Sequence, residues 1–406
     1  TEIDIATVHH GVFNNYEEVI DSVGNRGLLQ TCAHCNFVYD FRLCHNKLRC
    51  KKNTKAVLLP LNMQIVIQTL SRWYNLESRD LPWRRTRDPY RIWISEIILQ
   101  QTRVAQGLAY YERFVGQLPD IQSLAHANEG EVLKLWQGLG YYSRARNLHK
   151  AARMVMNELG GVFPSTFQDI QQLPGVGLYT AGAIASFAFG EKVPAIDGNV
   201  KRVGARFFGL FEDIQSQAFQ KKLFSLLQDA MVFADANEFN QAMIEVGATV
   251  CSPAQPQCDI CPLSDACIAR LQQLQKQLPV TRKKQKPLDK YFYYVDIRCG
   301  NHHVVVRRSD VGIWSHLHEF PLIEGDTPEW DLDVVLERWG IVEKIIVEGE
   351  KTIKHQLTHQ TIHAKCWYLC LPSDKFVKKD GWQWLEKDEI LSLPLHRLME
   401  KMIRFT

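Results

Sequence analysis

The chain of 406 residues is 46% hydrophobic and 23% charged, a composition typical of globular proteins and long enough for two or three domains. Its formal net charge of +3 is too small to indicate a nucleic-acid partner unaided. No secretory signal is visible, and the longest uncharged apolar stretch, residues 56–71, contains Pro60 and Asn62 and is too short to span a bilayer. We therefore expect a soluble intracellular protein with no membrane partner, which in a bacterium means the cytoplasm and its nucleoid.

Residues 1–62 show no sustained periodicity, and we treat them as an extension of unknown role, with Met63 as the first residue of the compact protein. Four of the eleven cysteines of the chain lie in this extension, at Cys32, Cys35, Cys44 and Cys50. With His34 and His45 as spare ligands, they suggest a small zinc site. The second cysteine pair is irregularly spaced, so an unstructured or non-native extension is an equal alternative.

Residues 63–275 are predicted to form a mainly helical domain. Asp88 and Pro89 begin a segment whose apolar residues recur at helical spacing, and strand-like alternation is scarce in the whole region. Further helices are predicted at 129–136, 143–158, 167–172, 179–189, 200–209 and 217–231.

A second group of cysteines follows these helices at Cys251, Cys258, Cys261 and Cys267. The spacing C-x6-C-x2-C-x5-C can hold zinc or a 4Fe-4S cluster. Zinc ribbons usually pair two C-x2-C knuckles, and only one is present, so the asymmetric spacing favours a 4Fe-4S cluster. Its simplest role is to fold and present a loop.

The stretch Gly175-Val176-Gly177 lies between two predicted helices. A dinucleotide-binding loop needs a preceding strand and a third glycine, and neither is present. A helical hairpin of this kind points backbone amides at a helix N-terminus, where a phosphate binds without base preference. An ordinary helix–helix turn is the alternative.

The sequence changes character after residue 275. Residues 276–290 form a basic linker that is either a solvated tether or a segment that lies along phosphates. Residues 291–406 are predicted to form a separate α+β domain. Its predicted strands are 291–297, 302–308, 345–347 and 361–370, and its predicted helix is 329–339.

Two carboxylic acids stand out in the helical region. Asp197 immediately precedes a helix, whose dipole is expected to keep the carboxylate ionised, although a plain N-cap explains it as well. Glu96 lies in the apolar run Ile94-Ser95-Glu96-Ile97-Ile98, where burial is expected to raise its pKa. A solvated position on an amphipathic helix is the alternative for Glu96.

The hairpin, the later stretch Asp197-Gly198-Asn199-Val200-Lys201-Arg202 and the second cysteine group occur in the order found in one family. Together they resemble the helix–hairpin–helix DNA glycosylases of the endonuclease III superfamily, and in finer detail the MutY-type adenine DNA glycosylases. The stretches that carry the finer match are residues 79–84, 93–102, 138–148 and 239–243.

The resemblance implies a monofunctional DNA glycosylase that excises adenine mispaired with 8-oxoguanine or guanine in double-stranded DNA. We expect it to act as a monomer. Glu96 is then the acid that protonates adenine, and Asp197 stabilises the cationic sugar. Asn199 holds Asp197, and Tyr179 lies against the sugar and Glu96. Strand-cutting relatives carry a Schiff-base lysine where this chain has Tyr179, and tyrosine cannot form an imine.

The resemblance also assigns binding residues. Leu81, Trp83, Arg84 and Gln241 are expected to line an adenine pocket, and Gln101 and Tyr141 to wedge into the duplex near the mispair. Gly175, Val176, Gly177 and Lys201 are expected to contact DNA phosphates. Trp83 and Tyr141 as core aromatics, and Gln101 as a surface residue, are the alternatives.

The C-terminal region resembles the Nudix-like domain that recognises 8-oxoguanine in MutY proteins, with its best match at residues 312–321. Residues 336–340 lack the paired glutamates of the Nudix helix, so we do not expect pyrophosphate hydrolysis. The recognition loop, Phe-Ser-His in many members, is Leu357-Thr358-His359 in this chain. Thr358 keeps the hydroxyl, and Leu357 replaces the aromatic ring.

Two rival functions remain open on the sequence. A thymine-type glycosylase on the same scaffold has no need of Glu96, because thymine lacks a ring nitrogen that requires this acid. A non-enzymatic helix–hairpin–helix DNA-binding module has no need of Glu96 and Asp197 together. One assay on duplexes with A:8-oxoguanine, T:G and intact pairs distinguishes all three.

Overall fold

The computed structural model describes the backbone of residues 13–20, 26–32 and 37–40, and residues 63–282, 286–325, 327–328, 330–339, 341, 345–371 and 379–403 in full. The proposed zinc site at Cys32, Cys35, Cys44 and Cys50 lies outside the fully described residues. Among the residues described, no helix is both long and apolar enough to cross a membrane.

The helices in chain order are α1 Met63–Glu77, α2 Pro89–Leu99, α3 Val104–Gln117, α4 Ile121–His126, α5 Glu129–Leu135, α6 Ser143–Glu158, α7 Phe167–Ile170, α8 Leu178–Phe189, α9 Gly198–Phe207, α10 Gln217–Ala230, α11 Ala236–Glu245, α12 Ile268–Leu271, α13 Leu332–Trp339, α14 Lys387–Ser392 and α15 Arg397–Met402. Short 3₁₀ turns occur at Pro82–Arg84, Met231–Phe233, Cys258–Ile260 and Ser264–Ala266, and a π-helix spans Val246–Val250.

The strands in chain order are β1 Phe13–Ile20, β2 Arg26–Cys32, β3 Phe37–Asp40, β4 Leu288–Cys299, β5 His302–Arg307, β6 His318–Glu319, β7 Leu322–Gly325, β8 Ile346–Gln356, β9 Gln360–Cys370 and β10 Trp382–Glu386. Strands β1 to β3 form an antiparallel sheet in the order β1-β2-β3. No strand was predicted there, because paired polar residues such as Asn14-Asn15 and Glu17-Glu18 interrupt any alternation.

The chain divides into two compact units. The first comprises residues 1–80 and 190–282, and its core joins apolar residues of α1, α9, α10 and α11. Side-chain oxygens cap three of these helices: Asp197 accepts from the Val200 N–H, Ser216 from Phe219 and Asp235 from Glu238. These caps fix where the helices begin.

The second unit comprises residues 81–189 and 283–406. Its helical part packs α2 against α3 and α8, with Trp93 and Trp136 fully buried. Its remaining part is a mixed sheet in the order β10-β5-β4-β9-β8, in which β4 and β9 run parallel, and β6 and β7 pair with β5 and β4. Helices cover both faces of the sheet, so β4 is buried on both sides.

The end of α14 and the loop that follows it contact α5 and the N-cap of α6 within this unit. Lys134 Nζ donates to the Leu391 carbonyl at 2.6 Å, and Tyr142 Oη donates to the Leu395 carbonyl at 3.2 Å. The mainly α core and the C-terminal α+β domain are confirmed as fold classes. The predicted domain limits of 1–62, 63–275, 276–290 and 291–406 stay predictions.

Candidate active site

Glu96 lies on the buried face of α2. Asp88 caps this helix by accepting from the Tyr90 N–H at 2.9 Å, and Pro89 occupies its first turn. The Glu96 side chain is only 6% exposed, which excludes the solvated-surface alternative. Tyr179 Oη, at the start of α8, donates to Glu96 Oε2 at 2.5 Å. The packing of α2 on α8 thus brings together two candidate residues that are 83 positions apart in sequence.

Asp197 occupies the N-cap of α9. Its Oδ1 accepts from the Val200 N–H at 2.7 Å, and its Oδ2 accepts from Asn199 Nδ2 at 2.8 Å. Burial raises the pKa of the Asp197 carboxyl above its ordinary value, although these two hydrogen bonds and the Arg202 charge act in the opposite direction. The expectation that the helix dipole keeps this carboxylate ionised stays a prediction, and desolvation by the surrounding chain acts against it.

Arg202, to which the sequence assigned no role, supports the Asp197–Asn199 pair. Arg202 Nη2 donates to Asn199 Oδ1 at 2.9 Å and to the Gly247 carbonyl at 2.7 Å, while its Nε donates to the Cys251 carbonyl at 2.8 Å. A Cβ on Gly247 would lie 2.5 Å from Asn199 Cβ, so the π-helix can approach α9 only with glycine there. The position of Arg202 on the face of α9 shared with Asn199 was the available signal.

The predicted hairpin joins α7 to α8. Gly175 has φ +77°, and a Cβ there would lie 2.6 Å from Asn147 Cβ. Val176 is buried, whereas a Cβ on Gly177 would meet no atom within 4 Å. Gly177 therefore leaves the backbone at the N-terminus of α8 open to an outside group. Lys201, on α9, is partly exposed.

The residues expected to line an adenine pocket are held firmly in place. Leu81 and Trp83 are each 7% exposed, and Trp83 packs edge-on against Tyr111 with ring centroids 5.1 Å apart. Arg84 is the last residue of the 3₁₀ turn and is partly exposed. Gln241, on α11, is 8% exposed and accepts a hydrogen bond from Tyr74 Oη at 2.9 Å.

The two residues expected to wedge into DNA share an unusual backbone conformation. Gln101 has φ +59° and Tyr141 has φ +49°, a region that non-glycine residues enter only under local constraint. Tyr141 is 43% exposed, which excludes its interpretation as a core aromatic. Gln101 is also exposed, so that its alternative as a surface residue stands.

Tyr141 also borders a cavity in the second unit with a volume of about 490 Å³. Its Oη contacts the hydroxyl of Thr358. Thr358 and His359 line the same cavity, together with Trp314. Trp314 is stacked on the buried His396 ring at 4.0 Å. Thr358 and His359, which are expected to recognise 8-oxoguanine, are therefore brought together with Tyr141 within one unit.

Four cysteines of the second group, Cys251, Cys258, Cys261 and Cys267, line one small cavity. Arg206 donates to Cys251 Sγ at 3.3 Å and to the carbonyls of Ser252 and Pro253. Burial raises the pKa of the Cys261 thiol to about 12 and also raises that of Cys267. Thiols are the ligands that thiophilic metals prefer, so four of them around one cavity fit a metal group chemically. Among the described residues, no group of three potential ligands has the geometry to hold a metal ion.

Comparison with known proteins defines the class first. The pattern of the HhH-GPD superfamily, described as base excision DNA repair proteins, matches residues 94–229, and the NUDIX domain pattern matches residues 293–405. A solved structure of a thermostable thymine-DNA glycosylase is 30% identical, with a TM-score of 0.47, covering 52% of this chain and 97% of that one. The two patterns together define a helix–hairpin–helix base excision repair domain followed by a Nudix-type domain.

Relatives of known activity narrow the class to one family. The adenine DNA glycosylase of Buchnera aphidicola subsp. Acyrthosiphon pisum is 36% identical over 81% of this chain and 95% of the relative. That of Buchnera aphidicola subsp. Schizaphis graminum is 32% identical over 75% and 87%. The human adenine DNA glycosylase is 47% identical over 52% of this chain and 40% of its own length. The chain belongs to the adenine DNA glycosylase family, whose members excise adenine from DNA in base excision repair.

Proposed function

We propose that this glycosylase removes adenine paired with 8-oxoguanine or guanine and does not cut the strand. The observation that carries the proposal is the buried Glu96 carboxyl with the Tyr179 hydroxyl on it at 2.5 Å. A buried carboxyl retains a proton more readily than a solvated one, and an acid is what a departing purine requires. Tyr179 supplies a hydroxyl where a strand-cutting enzyme needs an amine.

The proposed reaction breaks the bond between the sugar C1′ and adenine N9. The bond electrons move to the purine as Glu96 transfers its proton to adenine N7, so adenine leaves neutral. The oxocarbenium-like sugar is stabilised by the Asp197 carboxylate, through charge or a transient ester, and water then adds a hydroxyl at C1′. Deprotonated Glu96 takes the proton of that water, which restores the starting state.

Asp197 requires support to act as an anion. Its pKa is raised by burial, and the Val200 N–H and the Asn199 amide oppose that shift by hydrogen bonding to the charged form. Asn199 is thus the proposed holder of Asp197, as the sequence suggested. Lys201 lies four residues further on, so incidental imine formation there is the expected exception to the absence of strand cutting.

We propose DNA contacts from the exposure and the backbone conformation of the residues concerned. The open backbone at Gly177 suits a phosphate at the N-terminus of α8, with Gly175 and Val176 beside it in the hairpin. Lys201, on α9, is proposed as a further phosphate contact. Gln101 and Tyr141 enter the duplex as wedges, which suits their constrained backbones. Leu81, Trp83, Arg84 and Gln241 receive the extruded adenine.

Recognition of 8-oxoguanine is proposed for the C-terminal domain. The cavity beside Tyr141 has a volume of about 490 Å³, which is sufficient for a base. Thr358 provides a hydroxyl and His359 a ring nitrogen for hydrogen bonding. We further propose that Cys251, Cys258, Cys261 and Cys267 hold a 4Fe-4S cluster that fixes their loop.

The test uses four duplexes in which one strand is labelled: A:8-oxoguanine, A:G, T:G and A:T. Alkali cleaves every site from which a base was lost, and parallel samples without alkali report strand cutting by the enzyme. We expect alkali-dependent cleavage at adenine of the first two duplexes, and none with Glu96→Gln. Nicking without alkali at the rate of adenine release would refute the monofunctional mechanism.

A further inference from the structure

Gln241 is held from two sides within the first unit. Tyr74, on α1, donates its hydroxyl to Gln241 Oε1 at 2.9 Å, and Gln241 Nε2 donates to Asn237 Oδ1 one turn earlier on α11. The packing of α1 on α11 sets this arrangement. Residues 63–77 of α1 lie outside residues 94–229, which the superfamily pattern covers, so that comparison assigns Tyr74 no role.

The two hydrogen bonds give the Gln241 amide a defined direction. An amide has two N–H donors and two acceptor lone pairs, and each bond uses one of them. Reversing the amide would place Oε1 against the Asn237 oxygen, so that one bond would be lost. One Nε2–H donor and one Oε1 lone pair of Gln241 therefore stay available, and their relative positions are fixed.

A fixed order of donor and acceptor distinguishes adenine from guanine. The Watson–Crick edge of adenine presents an amino donor beside the N1 acceptor, whereas guanine presents a carbonyl acceptor beside an N–H donor. A glutamine amide that can rotate freely can pair with either base, whereas a fixed amide can pair with only one of them. We propose that Tyr74 is a positioning residue that orients Gln241 to accept from the 6-amino group of adenine. The inference rests on the proposed place of Gln241 in the adenine pocket.

The experiment compares single-turnover excision of adenine with that of unsubstituted purine, which lacks the 6-amino group, both opposite 8-oxoguanine. Tyr74→Phe removes only the hydroxyl. Loss of one neutral hydrogen bond should lower adenine excision about five- to tenfold and leave purine excision nearly unchanged. A merely structural role would lower both rates equally. Tyr90→Phe is the matched control, because it removes a buried hydroxyl bond to the Leu118 carbonyl instead.

Gln241→Leu separates the two hypotheses. If Gln241→Leu lowers the adenine-to-purine ratio and Tyr74→Phe also does, the positioning role is supported. If only Gln241→Leu lowers the ratio, the role of Tyr74 is overturned while the adenine pocket stands. If neither variant changes the ratio, the place of Gln241 in the pocket fails, and the role of Tyr74 fails with it.

Discussion

Replacing Asn199 with alanine tests how the reactive carboxylate is supported. The variant loses the hydrogen bond from Nδ2 to Asp197 Oδ2 and the one accepted from Arg202, but it keeps the Cβ that packs on Gly247. A hydrogen bond to a charged group is worth about 1.5–3 kcal/mol. If the transition state depends on ionised Asp197, excision at neutral pH should fall by about ten- to a hundredfold.

The pH profile provides the sharper measurement. The Asn199 amide lowers the pKa of Asp197 against the effect of burial, so its loss should raise that pKa and move the acidic limb of the profile to higher pH. Single-turnover rates between pH 5 and 9 would be measured, where about two points per unit suffice. Asn128→Ala, which removes the cap of α5, is the control for a plain asparagine deletion. A uniform loss of rate with an unmoved acidic limb would refute the reasoning.

Further outcomes are expected from single changes. Tyr179→Phe should lower adenine excision about tenfold or more, because Glu96 loses a hydrogen-bond donor, and single-turnover assays check this. Asp197→Asn should abolish excision; since burial raises the folded-state pKa of Asp197, the wild type should lose thermal stability relative to this variant as pH rises from about 4, the unfolded value. Thr358→Ala should lower the preference for A:8-oxoguanine over A:G more than it lowers the A:G rate, and equal losses would contradict the recognition role. Cys258→Ser should lower bound iron and inorganic sulfide and the melting temperature, and an unchanged content of both would refute Cys258 as a ligand of the cluster.

The sequence predicted long elements well where local signals were strong. Helix α6 was predicted at its observed bounds, because its buried residues recur at helical spacing. Strand β8 was predicted only at 345–347, yet it continues to Gln356, because its charged residues Glu348, Glu350 and Lys354 disguise the alternation. Strand β10 and helices α14 and α15 were missed, since short elements carry too few residues to show a period.

The candidate site divides in the same way. Asn199 and Asp197 are two residues apart, so their contact was foreseeable from the resemblance and the local sequence. The bonds from Tyr74 to Gln241 and from Arg202 to Gly247 join positions 167 and 45 residues apart, and only tertiary packing brings them together. The effect of burial on the Asp197 pKa was not predictable for the same reason, because desolvation depends on the chain folded around the helix end.

The contacts of Arg202 give a physical reason for the π-helix that precedes the second cysteine group. Its guanidinium reaches the Gly247 and Cys251 carbonyls on one side and Asn199 on the other, which requires the π-helix to lie against α9. Gly247 makes that approach possible, because a Cβ there would lie 2.5 Å from Asn199 Cβ. The Arg202 guanidinium thus donates both to the loop carbonyls and to Asn199, which is hydrogen-bonded to Asp197. One side chain therefore supports both the order of the loop and the placement of the Asp197 carboxylate.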